Sequence, residues 1–437
     1  MDQLCITGGT VLAMDRDGSV IPDGMVCTQG PRITYCGPRR GGDAPEVSGA
    51  RRLDARGGLI LPGLINGHTH AAMSLFRGMA DDLPLERWLT EHIFPAEQRL
   101  GGEAVYWGAL LSCAEMIKGG VTSFCDMYLF ARQTVRAADQ AGLRAVIGEV
   151  IYDFDSPSYG PLEKGLEATR ELVAGLADHP RLTGAVMPHA AYTCAPELLV
   201  RAAELGRELD ADLNIHLAET KVESARVLEM HGRRPVAHLD HLGLLGPRLW
   251  IDHGVDLEPQ EIARLAEAGV RLAHCPESNL KLASGVAPLP ALLDAGVAVG
   301  LGTDGSASNN DQDLFGEMDT CAKVHKVHSG DPTVASAETV LSLATRLGGQ
   351  AFGRQDLGTL AEGFLADIIV VDTDQPHLAP MFNPVSQLVY AARGSDVLHT
   401  VCHGRVLMED RRLTGLDEAE IMARAAEEAA RLNGLAG

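Results

Sequence analysis

The chain is short of positive charge: 37 lysines and arginines stand against 59 aspartates and glutamates in 437 residues, a formal net charge of −22. Such a surface repels polyanions, which excludes DNA, RNA and acidic membrane surfaces as its main partners. No apolar run approaches the roughly 20 residues that span a bilayer. The opening Met1-Asp2-Gln3-Leu4 has neither the basic start nor the apolar stretch of a signal peptide, so a cytoplasmic location is expected. The nine cysteines include no CxxC pair, which disfavours a thiolate zinc site. Cys27, Cys36, Cys113, Cys125 and Cys275 sit singly in apolar or strand-like segments and are expected to be reduced packing residues. Internal repeats and low-complexity linkers are also missing, and the glycines at 300 and 302 lead into no complete phosphate-binding fingerprint.

What is present is an ordinary globular composition, 46% hydrophobic and 22% charged, long enough for a large buried core. The first 57 residues alternate short β-type runs with turn signals at Gly8-Gly9, Asp17-Gly18, Asp23-Gly24 and Gly30. The same texture returns at Asp367 to Asp372 and Val397 to Met408. These ends predict one composite β-sandwich, residues 1–57 with 357–415. Between them, β-branched runs alternate with helix-like stretches near 58–66, 121–127, 143–151, 182–188, 211–216, 248–253, 270–275 and 297–303. Eight such βα units predict an α/β fold, a (β/α)8 TIM barrel over residues 58–356. The Ala- and Glu-rich tail within 416–437 predicts a terminal helix, begun by an Asp417-to-Glu420 capping pattern and ending before Gly434.

The chemistry-bearing residues fall at the ends of those runs. Leu64-Ile65 leads into Asn66-Gly67-His68-Thr69-His70, and a spacing of two on a strand points both imidazoles to one face. Alone, such a pair could equally line a polar rim. Leu213-Asn214-Ile215 delivers His216, and the run from Val297 delivers Asp304, so a barrel would converge three nitrogens and a carboxylate on its C-terminal mouth. That set suits one divalent metal with room for water. Glu219, three residues after His216, is placed for proton transfer rather than ligation, unless it is only a first-turn glutamate of a helix. His253 ends another run and could orient water or stabilise charge at the reacting carbon. His325 and His328 read as a polar helix face, and Arg144 as facing the helix layer.

His68-Thr69-His70, His216 with Glu219, His253 and Asp304, in this order, resemble the amidohydrolase superfamily over nearly the whole chain. Arg77 to Asp82, Pro276-Glu277-Ser278-Asn279, and Asp304-Gly305 followed by Ser308-Asn309-Asn310 resemble its branch of 5-methylthioadenosine/S-adenosylhomocysteine deaminases. The resemblance implies one divalent metal per subunit, zinc by expectation, held by His68, His70, His216 and Asp304. Binuclear members carry a bridging Lys or Glu on the fourth strand, but Gly184-Ala185-Val186-Met187-Pro188-His189 offers none. It implies hydrolytic deamination at C6 of adenine: Asp304 accepts a proton from water, Glu219 protonates a ring nitrogen, and His253 positions the nucleophile. Carried over residue by residue, Glu97 would hold the ribose hydroxyls, Trp88 would wall the 5′ side, and His189 would reach the purine N3.

Members that hold a homocysteine tail use arginines near the third strand and its loop. Here Ile147 to Asp153 and Ser156 to Pro161 contain none. A neutral 5′ group, as in methylthioadenosine, 5′-deoxyadenosine or adenosine, is therefore expected to be favoured over S-adenosylhomocysteine. The alternative is a relative acting on aminodeoxyfutalosine, a free nucleobase or an s-triazine. The expected partner is a small adenine nucleoside, and symmetry favours a homo-oligomer, dimer or tetramer.

Overall fold

The computed structural model describes residues 3–41 and 49–432. Its strands are β1 (Gln3–Leu12), β2 (Val20–Gln29), β3 (Arg32–Pro38), β4 (Arg51–Asp54), β5 (Leu59–Pro62), β6 (Leu64–Thr69), β7 (Val121–Tyr128), β8 (Arg144–Ile151), β9 (Leu182–Gly184), β10 (Met187–Pro188), β11 (Leu213–Leu217), β12 (Leu249–His253), β13 (Arg271–His274), β14 (Ala298–Leu301), β15 (Ile368–Val371), β16 (Val397–Cys402), β17 (Arg405–Glu409) and β18 (Arg412–Leu413).

Both ends of the chain build one nine-stranded sheet in the order β18-β17-β16-β15-β5-β1-β2-β3, with β4 also on β1. β1 pairs with β4 through residues 4–7 and with β5 through residues 10–11, and between those two stretches lie Gly8 and Gly9. A side chain at Gly9 would collide with the Gly58 carbonyl, and Gly8 adopts a φ of +81°, so glycine is required where β1 changes partners. Ile6, Val11, Val26, Ile60, Ile368 and Val401 fill the small apolar core that this sheet closes around.

The barrel consists of eight parallel positions, β6, β7, β8, the broken β9/β10, β11, β12, β13 and β14. Its halves join through the parallel bridges Val186↔Leu213 and Ala190↔His216, and close where the Asp304 N–H donates to the His68 carbonyl at 2.9 Å. Phe124, Ile215, Trp250 and Leu301 are buried inside, as expected of strands covered on both faces.

Three local expectations are corrected. The run 58–66 is two strands, not one: β5 belongs to the terminal sheet and β6 to the barrel, divided at Gly63, where any Cβ would meet Thr122. Cys5 and Cys27, opposite each other on β1 and β2, are joined by a disulfide with Cα atoms 4.1 Å apart, so these two are not isolated thiols. Arg144 faces the terminal sheet instead of the helices. Its guanidinium donates to both oxygens of Asp367 at 3.0 and 3.2 Å, with both side chains buried.

Asp367 also accepts the His403 N–H at 2.7 Å, so one carboxylate ties barrel strand β8 to the terminal sheet. Asp367→Ala leaves a buried guanidinium uncompensated and should cost about 3–5 kcal/mol. Denaturant midpoints of wild type and variant, at equal metal content, check this. The helix Glu418–Leu432 packs outside the barrel, with Glu420 N–H on Asp417 and Lys118 2.7 Å from Glu418. No helix of the described residues is long and apolar enough to cross a membrane.

Candidate active site

The strand ends carry the expected side chains to one mouth. His68 lies within β6, His70 just past it, His216 near the end of β11, His253 at the end of β12, and Asp304 three residues beyond β14. Ala218, His253 and Asp304 all adopt left-handed backbone, with φ of +54°, +70° and +62°. Non-glycine residues rarely accept that conformation, and three at the ends of β11, β12 and β14 mark a mouth whose side-chain directions are enforced by the surrounding fold.

Every histidine at the centre has an acceptor at Nδ1. The Met127 carbonyl lies 2.5 Å from His70, the His189 carbonyl 2.8 Å from His216, Asn279 Oδ1 3.0 Å from His253, and Asp252 Oδ2 3.2 Å from His68. The Nδ1 atoms of His70, His216 and His253 therefore donate outward and leave their Nε2 lone pairs facing inward, as metal ligation requires, while Asp252 stands at ion-pair distance behind His68. His70 Nε2 is 3.2 Å from His216 Nε2 and 3.3 Å from Asp304 Oδ1, which is 3.4 Å from His68 Nε2. Donors at about 2.1 Å from one ion in a tetrahedron are about 3.4 Å apart, so the spacing fits a single divalent cation. The other oxygen of Asp304 is fixed by the hydroxyls of Ser278 at 2.6 Å and Ser308 at 2.7 Å.

The electrostatics fit the same occupant. Burial would lower the His68 pKa, but Asp252 and Asp304 override it and hold the imidazole up at about 10, so the centre attracts positive charge. Burial and the neighbouring imidazoles push His216 well below its usual range and His189 down to about 3, leaving both neutral. For Asp304, burial acts upward, yet the imidazoles around it hold its carboxyl well below the ordinary range.

Glu219 lines the mouth, buried. Burial first, then Asp304, pushes its carboxyl up to about 8, so it carries a proton at neutral pH. Its position is set by Glu223, whose two oxygens accept the N–H groups of Ala218 at 3.0 Å and Glu219 at 2.7 Å.

The pocket leading to this centre is lined by Trp88, Glu97, His189, Tyr128, Tyr152 and Tyr192, among others. Trp88 opens a π-helical turn, Trp88–Ile93, which runs into the short helix Phe94–Glu97 in place of one continuous helix. Burial pushes Glu97 up to about 7, with the Tyr128 hydroxyl acting against the shift. His189 Nδ1 is 2.8 Å from the Thr193 hydroxyl, which fixes the ring.

Sequence reasoning missed Asp252, Glu223, the three tyrosines, and the roles of Ser278, Ser308 and Asn279 inside quoted motifs. Asp252 had a signal: an acid inside a buried strand, next to His253, needs a buried partner. His325 is also corrected. It is buried, not on a polar face, and its Nε2 lies 2.9 Å from His274 Nε2 at the end of β13.

Residues 59–407 match the amidohydrolase family. A 5-methylthioadenosine/S-adenosylhomocysteine deaminase of Syntrophobacter fumaroxidans is 54% identical over 422 residues, covering 96% of each chain. A 5′-deoxyadenosine deaminase of Methanothermobacter thermautotrophicus is 45% identical over 99% of each. Among solved structures, an adenosine deaminase from Xanthomonas campestris with bound zinc superposes with a TM-score of 0.95 at 36% identity, covering 99% of each chain.

Proposed function

The chain belongs to the amidohydrolase family, and from that premise we propose that it is a metal-dependent hydrolase deaminating C6 of adenine in 5′-substituted adenosines, releasing ammonia and the inosine analogue. The observation that carries this reading is the mouth itself: a donor set spaced for one cation, with buried Glu219 and buried Glu97 lining the same pocket. Divalent-metal dependence follows from the family and the donor set, and zinc is the ion we assign. His68, His70, His216 and Asp304 would hold it. When bound, such a cation supplies Lewis acidity, lowering the pKa of coordinated water from about 15.7 to roughly 7.

The protein groups do the rest. Asp304 accepts the proton that water gives up as its oxygen bonds to C6. Glu219 donates its proton to N1, so no full negative charge builds on the purine. His253, its Nδ1 held by Asn279, keeps Nε2 turned to the attacking oxygen. The C6–N bond breaks as Asp304 passes its proton to the departing nitrogen, and the C6 hydroxyl proton returns to Glu219 as the carbonyl forms. Neutral His189 offers a hydrogen bond to N3, Trp88 walls the 5′ side, and Glu97 accepts the two ribose hydroxyls. With no arginine from Ile147 to Asp153 or from Ser156 to Pro161, and Arg144 at the start of β8 committed to Asp367, a neutral 5′ group is preferred. We take the working enzyme to be a homo-oligomer of two or four copies.

The direct test is adenine absorbance and ammonia release on methylthioadenosine, S-adenosylhomocysteine, 5′-deoxyadenosine, adenosine and adenine. Activity confined to the free base would overturn the nucleoside reading. Glu97 separates the two more sharply. Glu97→Gln should lower kcat/KM for nucleosides by about 10²-fold, through two weakened charge-assisted hydrogen bonds, while sparing any turnover of free adenine. Because the Glu97 carboxyl is pushed up to about 7, it is ionised above that pH and protonated below. KM for nucleosides should therefore rise as pH falls through 7, and the Gln variant should lack this acidic limb.

A further inference from the structure

A second cavity, of about 1000 Å³, adjoins the catalytic pocket. The two share Leu85, Leu89, Phe94, Tyr192 and Leu282 as walls, so the spaces adjoin along that side. Its surface is mainly apolar, and Phe154, Val222 and Met230 stand in it exposed to water although each is a large apolar side chain. An aromatic track connects the two spaces: Tyr152, in the inner pocket, stacks on Phe154 at 4.5 Å between ring centroids, and Phe154 lies 6.2 Å from Phe94, which lines both. A methylthio group would leave nearly all of this chamber empty.

The charges around the chamber do not converge on an anion. The Lys281 ammonium is held by Asp81 at 2.6 Å, and the Arg226 guanidinium lies over the Tyr192 ring at 5.5 Å. Asp82, Glu86 and Asp153 line the same space as Lys221 and Arg226, so a carboxylated tail meets both signs. An uncharged apolar tail instead gains burial against walls that are otherwise wet.

From these observations we infer that the chamber is a subsite for an extended apolar group on the 5′ position, making 5′-alkylthio- and 5′-arylthio-5′-deoxyadenosines larger than methylthioadenosine a substrate class of this protein. The inference rests on the adenine-nucleoside reading above. It is tested by steady-state kinetics of the metal-replete enzyme on adenosine and on 5′-methylthio-, propylthio-, hexylthio- and benzylthio-5′-deoxyadenosine, with S-adenosylhomocysteine as the charged comparison. KM should fall by up to about fourfold per added methylene, at nearly constant kcat, until the chamber is filled. The double variant V222E/M230E, at solvent-exposed positions that tolerate charge, should flatten that slope. A KM that stays level or rises from methyl to hexyl, with adenosine still turned over, overturns the inference alone. S-adenosylhomocysteine outperforming the hexyl compound by tenfold or more also overturns it, and gives the chamber to a charged tail. Inertness toward adenosine and every riboside overturns the deaminase reading and the subsite with it.

Discussion

Glu219→Gln should lower kcat on methylthioadenosine by about 10²- to 10⁴-fold, the range for loss of a positioned acid, while KM and bound metal stay close to wild type. The substitution keeps the shape of the side chain and removes only its transferable proton. Glu219 is no metal ligand in the proposed mechanism, so metal content by elemental analysis should not change. Its backbone is held by Glu223 rather than by its own carboxyl, so the loop should keep its place. Glu219 carries the proton because burial and Asp304 push its carboxyl up to about 8, well above an ordinary glutamate. A loss of metal in the variant, or a loss smaller than tenfold, would remove Glu219 from the proton-transfer role.

His216→Ala is expected to act through the metal instead. It removes one inward-facing Nε2 from a set whose neighbours lie 3.2 to 3.4 Å apart, and the remaining donors no longer surround an ion. Metal per chain should fall from about one to a small fraction, with activity down on the order of 10³-fold or more, because unactivated water has a pKa several units higher. Asp252→Asn should be milder. Asp252 touches no proposed substrate atom and acts by orienting His68, so about 10- to 100-fold weaker metal affinity is expected, with activity recovering in excess metal. Competition with a chromophoric chelator separates the two. If His216→Ala binds metal as tightly as wild type, the ligand assignment is wrong.

The residues at the mouth were readable because strand ends in a barrel converge by topology, so order along the chain and a short β run before each His or Asp suffice to place them. Groups that act across the barrel were not. Asp252 serves His68 from six strands away in sequence order, and nothing local at either position shows the pairing. The Arg144–Asp367 pair spans 223 residues, and the Cys5–Cys27 pairing depends on the register of β1 against β2, which a bulge near Gly9 shifts. Gly63 deceived for a related reason. The apolar residues on both sides of it are continuous, and only the approach of Thr122 reveals that the chain passes there from one sheet to another. Tyr128 and Tyr152 sit at the ends of apolar runs that read as ordinary core.

The nine-stranded sheet also imposes an order on biosynthesis. β1, β2 and β3 are neighbours in sequence and need no later segment to pair as an antiparallel meander, but β5 pairs with β15, and Leu59 meets Val371 only after more than 300 further residues have been made. Until then the inner edge of the N-terminal piece is an unpaired β edge carrying Leu59, Ile60 and Leu61, the kind of edge that recruits foreign strands. The whole barrel is synthesised during that interval. The nascent chain is therefore most exposed to misassembly late in translation, and the arrival of β15 and β16 converts two half-built ends into one sealed sheet.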